Sequence, residues 1–284
     1  MTSPAVQWLL ESDEPAIRRL ARRDLLGEPV EDTAAEGPRV RALLDGLDDD
    51  VAHPYRKWDG AHWRLVQLVE LEATDDERVT RAADRVLDWL TSDRHRSSIK
   101  AIDGLARVHA SMEGNALLVA SRLGMAGDPR VAQIADDLVA WQWPDGGWNC
   151  DPHATGRRSS FHESLIPAHG LYEYGAREAA GRTAELLLDH RLFRSKTAGE
   201  PIHPEWLRLH HPPFWHYDIL YALTVLGRMN RVGDPRAEDA LAVLRQRRLK
   251  DGRWRAGGSW VRPAPRGPSE MITLNALRVL RSRA

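Results

Sequence analysis

The sequence predicts an all-α fold, an (α/α)6 barrel or toroid in which six outer helices surround six inner ones, built as a single domain over residues 1–284. Three observations predict paired helices, which an open solenoid of helical hairpins would also satisfy, and six pairs with a more hydrophobic second member favour the closed ring. Apolar residues recur at three- and four-residue spacing along most of the chain, and alternation bounded by hairpin turns is absent. An Asp-Gly turn returns at Trp58-Asp59-Gly60, Ile102-Asp103-Gly104, Asp145-Gly146-Gly147-Trp148 and Asp251-Gly252-Arg253-Trp254, which marks an internal repeat. Successive helical segments also alternate in character, one charged on a wet face and the next apolar nearly all round.

In chain order, an outer helix over 4–11 precedes an inner helix over 13–26, which ends in RDLLG (23 to 27). Outer 35–46 pairs with inner 61–73, and outer 76–92 with inner 112–124, whose NALLVASRLG (115 to 124) has almost no polar face. Asp128-Pro129-Arg130 opens outer 128–142, since aspartate caps a helix and proline suits its first position. Inner 161–175 follows, and Pro167 predicts a kink within it because it removes a helical hydrogen bond. Outer 178–192 pairs with inner 214–229, which contains ILYALTVLG (219 to 227). Asp234-Pro235-Arg236 opens outer 234–249, and inner 269–282 completes the set.

Charge and cysteine content narrow the function. Lys+Arg 40 against Asp+Glu 41 leaves a net charge of −1, so no basic field attracts nucleic acid. The single cysteine, Cys150, excludes an internal disulfide and fits a reducing, cytoplasmic setting. The opening MTSPAVQWLLESDE lacks the pattern of a signal peptide, and no apolar run approaches the ~20 residues of a membrane helix. No phosphate loop, dinucleotide fingerprint or Gly-x-Ser-x-Gly elbow occurs.

The expected pocket lies at one end of the barrel. Inner-to-outer links are short, whereas outer-to-inner links (47–60, 93–111, 143–160, 193–213 and 250–268) are long, and long loops on a rigid scaffold carry function. Ten of the 12 histidines and eight of the 11 tryptophans, Trp260 among them, fall in these links or just after them. Aligned at their starts, the inner helices place Glu14, His62, Glu113, Glu163, Asp218 and Glu270 at corresponding positions, 48 to 55 residues apart. Acids there complement the helix dipole, and Ser160-Phe161-His162-Glu163 fits a capping box. Two of them also have histidine neighbours: His162-Glu163 and Trp215-His216-Tyr217-Asp218. A carboxylic acid beside a histidine can deliver a proton, and aromatic faces stabilise cations. Glu163 and Asp218 are therefore the candidate acids, His162 and His216 the relays. Trp58, His62, Trp63, Glu113, Trp215, Tyr217 and Glu270 are the candidate pocket wall for a hydrophobic small molecule undergoing cyclisation, isomerisation or elimination. The loop from His203-Pro204-Glu205-Trp206 to His210-His211-Pro212-Pro213-Phe214 suits either a lid or a plug.

Gln142 followed by Pro144-Asp145-Gly146-Gly147-Trp148 resembles the glutamine–tryptophan repeat of squalene–hopene cyclases and related terpenoid cyclases, whose α/α toroid is shared with protein prenyltransferase β subunits. The helical-pair layout extends the likeness over nearly the whole chain, with degenerate copies of the motif at 57–63 and 249–254. The resemblance implies that Trp148 and Gln142 tie helices together. It also brings departures: there is no Asp-x-Asp-Asp, Asp48-Asp49-Asp50 being contiguous, and no Asp-Asp-x-x-Asp for diphosphate. Five tyrosines and three phenylalanines are few for guiding a polyene, and the chain equals one barrel where squalene–hopene cyclases have two. Prenyltransferases hold zinc with aspartate, cysteine and histidine, which here implies Cys150, Asp151 and His153, joined by His162, His216 or Asp218, as an alternative zinc site. The spacing does not reproduce that family's Asp-x-Cys, and Ile166 prevents a His-Glu-x-x-His motif at His162. A non-catalytic binding toroid is the third reading.

Overall fold

The computed structural model describes residues 2–31, 37–48, 52–257 and 267–282. Asp49, Asp50, Trp260, positions 35–36 and residues 258–266 of the 250–268 link lie outside the described residues. The described chain is mainly helical: α1 (Pro4–Leu10), α2 (Pro15–Ala21) continued by a π-helical turn (Arg22–Leu26), α3 (Pro38–Asp45), α4 (Ala61–Glu70), α5 (Glu77–Thr91) and the single turn α6 (Asp93–Arg96). Next come strands β1 (Lys100–Ile102) and β2 (Leu105–Arg107), then α7 (Ser111–Arg122), α8 (Pro129–Trp141), α9 (Phe161–Tyr174) and α10 (Arg177–Asp189). A 3-10 turn (Pro204–Leu207), α11 (Ile219–Arg228), a 3-10 turn (Pro235–Ala237), α12 (Glu238–Gln246) and α13 (Glu270–Arg281) complete the order. These elements form two compact units. One comprises Met1–Asp45, Glu70–Asp75 and Leu188–Ala284, and the other Gly46–Val69 and Asp76–Leu187.

The expected contrast between alternate helices is present. In α5 the buried residues are Val79, Ala82, Ala83, Val86, Leu87 and Leu90, one stripe at helical spacing, whereas every residue of α7 from Glu113 to Ala120 is buried. In α9 the run from Glu163 to Leu171 is likewise buried throughout. Small residues let α7 and α9 touch backbone to backbone. A Cβ on Gly114 would lie 2.5 Å from Pro167 N, and one on Gly170 would lie 2.4 Å from the Gly114 carbonyl oxygen.

Helix starts follow the cap residues. Asp76, Asp128 and Asp234 each accept the backbone N–H two residues on, from Arg78, Arg130 and Arg236 at 2.8, 2.8 and 2.9 Å, and each also holds that arginine's guanidinium. The Arg236 hydrogen bond lowers the Asp234 carboxyl to about 2. A depressed carboxyl contributes stability above its unfolded pKa, and this contribution fades as pH falls through about 2. Asp128→Ala removes both interactions at the start of α8 and should cost about 1 kcal/mol in urea unfolding; an unchanged midpoint would contradict this capping role.

The tryptophans of the repeated turn are braces. Trp148 is wholly buried; its Nε1–H donates to the Leu138 carbonyl at 2.9 Å and its backbone N–H to Ser164 Oγ at 3.0 Å. In the other unit Trp254, also wholly buried, repeats both bonds, to the Leu244 carbonyl at 2.8 Å and Thr273 Oγ1 at 3.1 Å. The 249–254 turn is thus a faithful structural copy despite its degenerate sequence. Gln142 Nε2 donates to the Gly146 and Ala179 carbonyls, both at 2.9 Å, tying the turn to α10.

Several expectations are corrected. A β-hairpin exists where strands were not foreseen; Asp103 and Gly104, both with positive φ (51° and 78°), form its two-residue turn. The helix expected over 214–229 starts only at Ile219, because the buried Asp218 side chain caps it there, so Trp215, His216 and Tyr217 belong to the preceding loop. The helix expected over 13–26 starts at Pro15, and the one over 234–249 opens as a 3-10 turn. Ser160 makes no side-chain cap, so the capping box is not formed.

Candidate functional site

The hairpin positions the first cluster, in the unit containing α7 and α9. After β2 the chain runs beside residue Asn149, with Val108 N–H donating to the Asn149 carbonyl at 3.1 Å, and this brings His109 next to Cys150. Glu163 arrives from α9. Because α9 packs against α7, its carboxylate reaches the start of α7: Oε2 accepts the Ser111 N–H at 3.0 Å, and Oε1 lies 3.2 Å from His109 Nδ1. One donor atom from each of His109, Cys150 and Glu163 lies within 4.8 Å of the other two. Glu163 is buried, Cys150 half-buried and the His109 side chain 62% exposed, so the cluster opens outward through the imidazole. Hydrogen bonding to Cys150, then to Glu163, raises the His109 imidazole to about 10.

Of the residues that the resemblance implies for zinc, this cluster contains Cys150. Cys150 is joined by His109 and Glu163, while Asp151 accepts from its near neighbour His153, whose Nδ1 is 2.6 Å away on the exposed side. The histidine on Glu163 is His109, 54 residues away, where the sequence suggested the adjacent His162, which is half-buried at the second position of α9.

Two further polar groups lie in the same unit. Glu113, the third residue of α7, is 2% exposed; its Oε1 pairs with His95 Nε2 at 2.8 Å, and its Oε2 has no hydrogen-bond partner among the described residues. His62, 1% exposed, has neither ring nitrogen hydrogen-bonded among the described residues, and burial lowers its imidazole to about 3, so it is neutral. With Asn115 and apolar residues of α5 and α7 it lines a cavity of about 10 Å3, about the room one water needs. Trp58 and the wholly buried Trp63 stand 5.1 Å apart, ring to ring.

In the unit containing α11 and α13, Asp218 is fully buried and both its oxygens are engaged by backbone. Oδ1 accepts the Tyr221 N–H at 2.9 Å and Oδ2 the His210 N–H at 2.7 Å, with His210 Nδ1 3.3 Å away. Its imidazole partner is thus His210; His216 stacks on Trp215 at 3.9 Å. Tyr217 is a brace whose buried hydroxyl donates to the Leu192 carbonyl at 2.5 Å, and burial raises its pKa. Glu14 caps two helices, accepting from Ala16 N and from Arg39 and Val40 N. Glu270, half-exposed at the start of α13, adds its charge beside Arg39.

One array escaped sequence reasoning. Arg39 Nη2 lies 3.2 Å from His211 Nδ1, and His211 Nε2 lies 3.1 Å from Glu70 Oε2. A guanidinium can only donate, so Nδ1 accepts and Nε2 carries the proton that bonds Glu70. Burial lowers the His211 pKa, in keeping with this neutral tautomer. No motif spacing brings together residues this far apart; only the concentration of histidines in the 203–214 loop signalled them.

Among the described residues no helix is long and apolar enough to cross a membrane. Comparison with protein-family models, curated proteins and solved structures finds no match to the chain.

Proposed function

We propose that the chain is a zinc-dependent enzyme on an (α/α)6 toroid, related to the terpenoid cyclase and prenyltransferase superfamily and acting on a hydrophobic small molecule in the cytoplasm. Support for the toroid comes from the alternation of one-sided and fully buried helices and from the matched Trp148 and Trp254 braces. The net charge of −1 argues against a nucleic-acid substrate. The observation that carries the zinc reading is the convergence of His109, Cys150 and Glu163. Imidazole, thiolate and carboxylate are all zinc ligands, with bonds of about 2.0–2.3 Å, which place tetrahedral ligands about 3.3–3.6 Å apart. The 3.2 Å between His109 Nδ1 and Glu163 Oε1 already matches that edge, and exposed His109 has freedom to close the rest. Three protein ligands leave a fourth position open, and zinc there supplies Lewis acidity to a substrate atom.

Elemental analysis of protein purified without a metal-affinity tag tests this. About one zinc per chain is expected, and a folded protein that takes up no zinc on dialysis would exclude the reading. A second reading, acid–base chemistry by the Glu163–His109 pair without metal, is favoured by the raised pKa of His109, which keeps a proton on the imidazole at neutral pH. Asp218 has a weaker claim as an acid, since backbone amides engage both its oxygens.

A further inference from the structure

Arg107, the last residue of β2, is a buried cation without a matching anion. The residue is 8% exposed, and its guanidinium lies over the Trp143 ring, 4.6 Å from the centroid. Trp143 is fixed in turn, its Nε1–H donating to the Ala106 carbonyl at 2.8 Å. Of the guanidinium nitrogens, Nη2 donates to the Gly156 carbonyl at 3.0 Å, whereas Nε and Nη1 have no hydrogen-bond partner among the described residues. Buried charges in proteins are ordinarily paired, because an unpaired one loses its hydration with nothing in return.

No neighbouring carboxylate fills this role. Asp151 Oδ2 and Arg107 Nη1 border the same glycine, 2.8 and 3.3 Å from where a Cβ on Gly156 would stand, yet no hydrogen bond joins them. Asp151 is held instead by His153, whose backbone N–H donates to Oδ1 at 2.9 Å and whose Nδ1 lies 2.6 Å from it. Asp103 is taken by Arg157 at 2.7 Å. Gly156 belongs to a segment without regular structure, in which residues 152–155 and 157–158 are exposed, so a surface strap makes the one hydrogen bond to the guanidinium. The strand also leads into the cluster: Arg107 bridges to Asn149, the residue before Cys150, and His109 follows two residues later.

We propose that Arg107 is the seat for the carboxylate of an organic ligand, which enters beneath the 152–158 strap and takes Nη1 and Nη2 together. Two parallel N–H donors match a carboxylate's two oxygens. The Gly156 carbonyl released from Nη2 turns to water, since its segment lies at the surface. One guanidinium balances one negative charge, and Asp151 beside it repels a second, so the seat favours a carboxylate over a phosphate dianion. It needs no metal, and its success or failure is separate from that of the zinc reading.

Titration calorimetry of the full chain with hexanoate, against neutral hexanamide, tests the proposal. Hexanoate should bind about tenfold more tightly than hexanamide, with the same affinity whether or not the neutral zinc chelator 1,10-phenanthroline is present. Arg107→Gln should abolish the preference. Asp151→Asn keeps an oxygen for the His153 N–H and removes the neighbouring charge, so it should strengthen hexanoate binding severalfold and leave hexanamide unmoved. Equal affinity for the two probes, no hexanoate binding at millimolar concentration, or hexanoate binding lost on chelation would each overturn the proposal. So would inorganic phosphate binding more tightly than hexanoate, or hexanoate affinity unmoved by Asp151→Asn. Because the Asp151 side chain is 38% exposed, that variant decides the matter even if Arg107→Gln fails to fold.

Discussion

Cys150→Ser should reduce zinc from about one per chain to less than about a tenth, with the far-UV circular dichroism spectrum unchanged. The thiolate is the softest of the three donors, and a serine hydroxyl, neutral at pH 7, does not replace it. Cys150 is only half-buried in a loop, so the fold loses little. Glu163 behaves differently, because its carboxylate also accepts the Ser111 N–H at the start of α7. Glu163→Gln keeps an acceptor for that amide while removing the charge, so it should weaken zinc binding without unfolding the unit. The pH dependence follows from His109. Its imidazole, raised to about 10, holds a proton that zinc must displace. Below that pH, apparent zinc affinity should therefore rise with pH, by up to about tenfold per unit for each proton released, from the imidazole and from the thiol where it is still protonated. In the absence of metal the sign is opposite: a raised imidazole contributes stability below its ordinary pKa, and this is lost as pH climbs through about 10. Full zinc retention in Cys150→Ser would remove the cluster from consideration as a metal centre.

What could be read in the sequence was whatever depends on near neighbours. Val79, Ala82, Ala83, Val86, Leu87 and Leu90 write the buried stripe of α5 directly, and Asp128-Pro129 marks the start of α8 because both residues act within one turn. The Trp148 brace was expected from the resemblance of its turn to the glutamine–tryptophan repeat, and its partner Leu138 lies ten residues back. The hairpin was not: three residues per strand are too few to establish a period, and Asp103-Gly104 looked like one more copy of the repeated turn. The start of α11 was misplaced because the apolar Phe214, Trp215 and Tyr217 extend its pattern backwards, yet only the capping Asp218 begins the helix.

The site divides along the same line. Glu163 stood out as an acid in the first turn of a buried helix, and Cys150 as the one thiol. The partner that unites them, His109, comes from a segment whose path depends on the unforeseen hairpin and on the approach of α7 to α9 at Gly114. Arg39, Glu70 and His211 are likewise joined only by tertiary packing. Adjacent-residue reasoning chose His162 and His216 as relays, whereas the folded chain pairs the two acids with His109 and His210.

Trp148→Ala should cost about 3–5 kcal/mol of stability, the largest effect of any single truncation considered. The indole is wholly buried, so its removal opens a cavity that packed neighbours fill only in part. It also strands the Leu138 carbonyl, whose lost hydrogen bond adds about 1 kcal/mol or more. A domain with about 5–15 kcal/mol in total would then be close to unfolding. The loss should reach the cluster as well. The Trp148 N–H holds Ser164 Oγ, the residue after Glu163, and Cys150 lies two residues beyond Trp148, so the brace sets both ligands against each other. Trp254→Ala offers the control: it removes a matching pair of bonds, to the Leu244 carbonyl and Thr273, none of them beside a cluster residue. The two variants should lose comparable stability in denaturant titrations. Only Trp148→Ala should also lower zinc affinity in the protein that remains folded. If its unfolding midpoint hardly moves, the repeated tryptophan is not the brace that its hydrogen bonds indicate; if both variants lose zinc alike, the cluster depends on general stability and not on this turn.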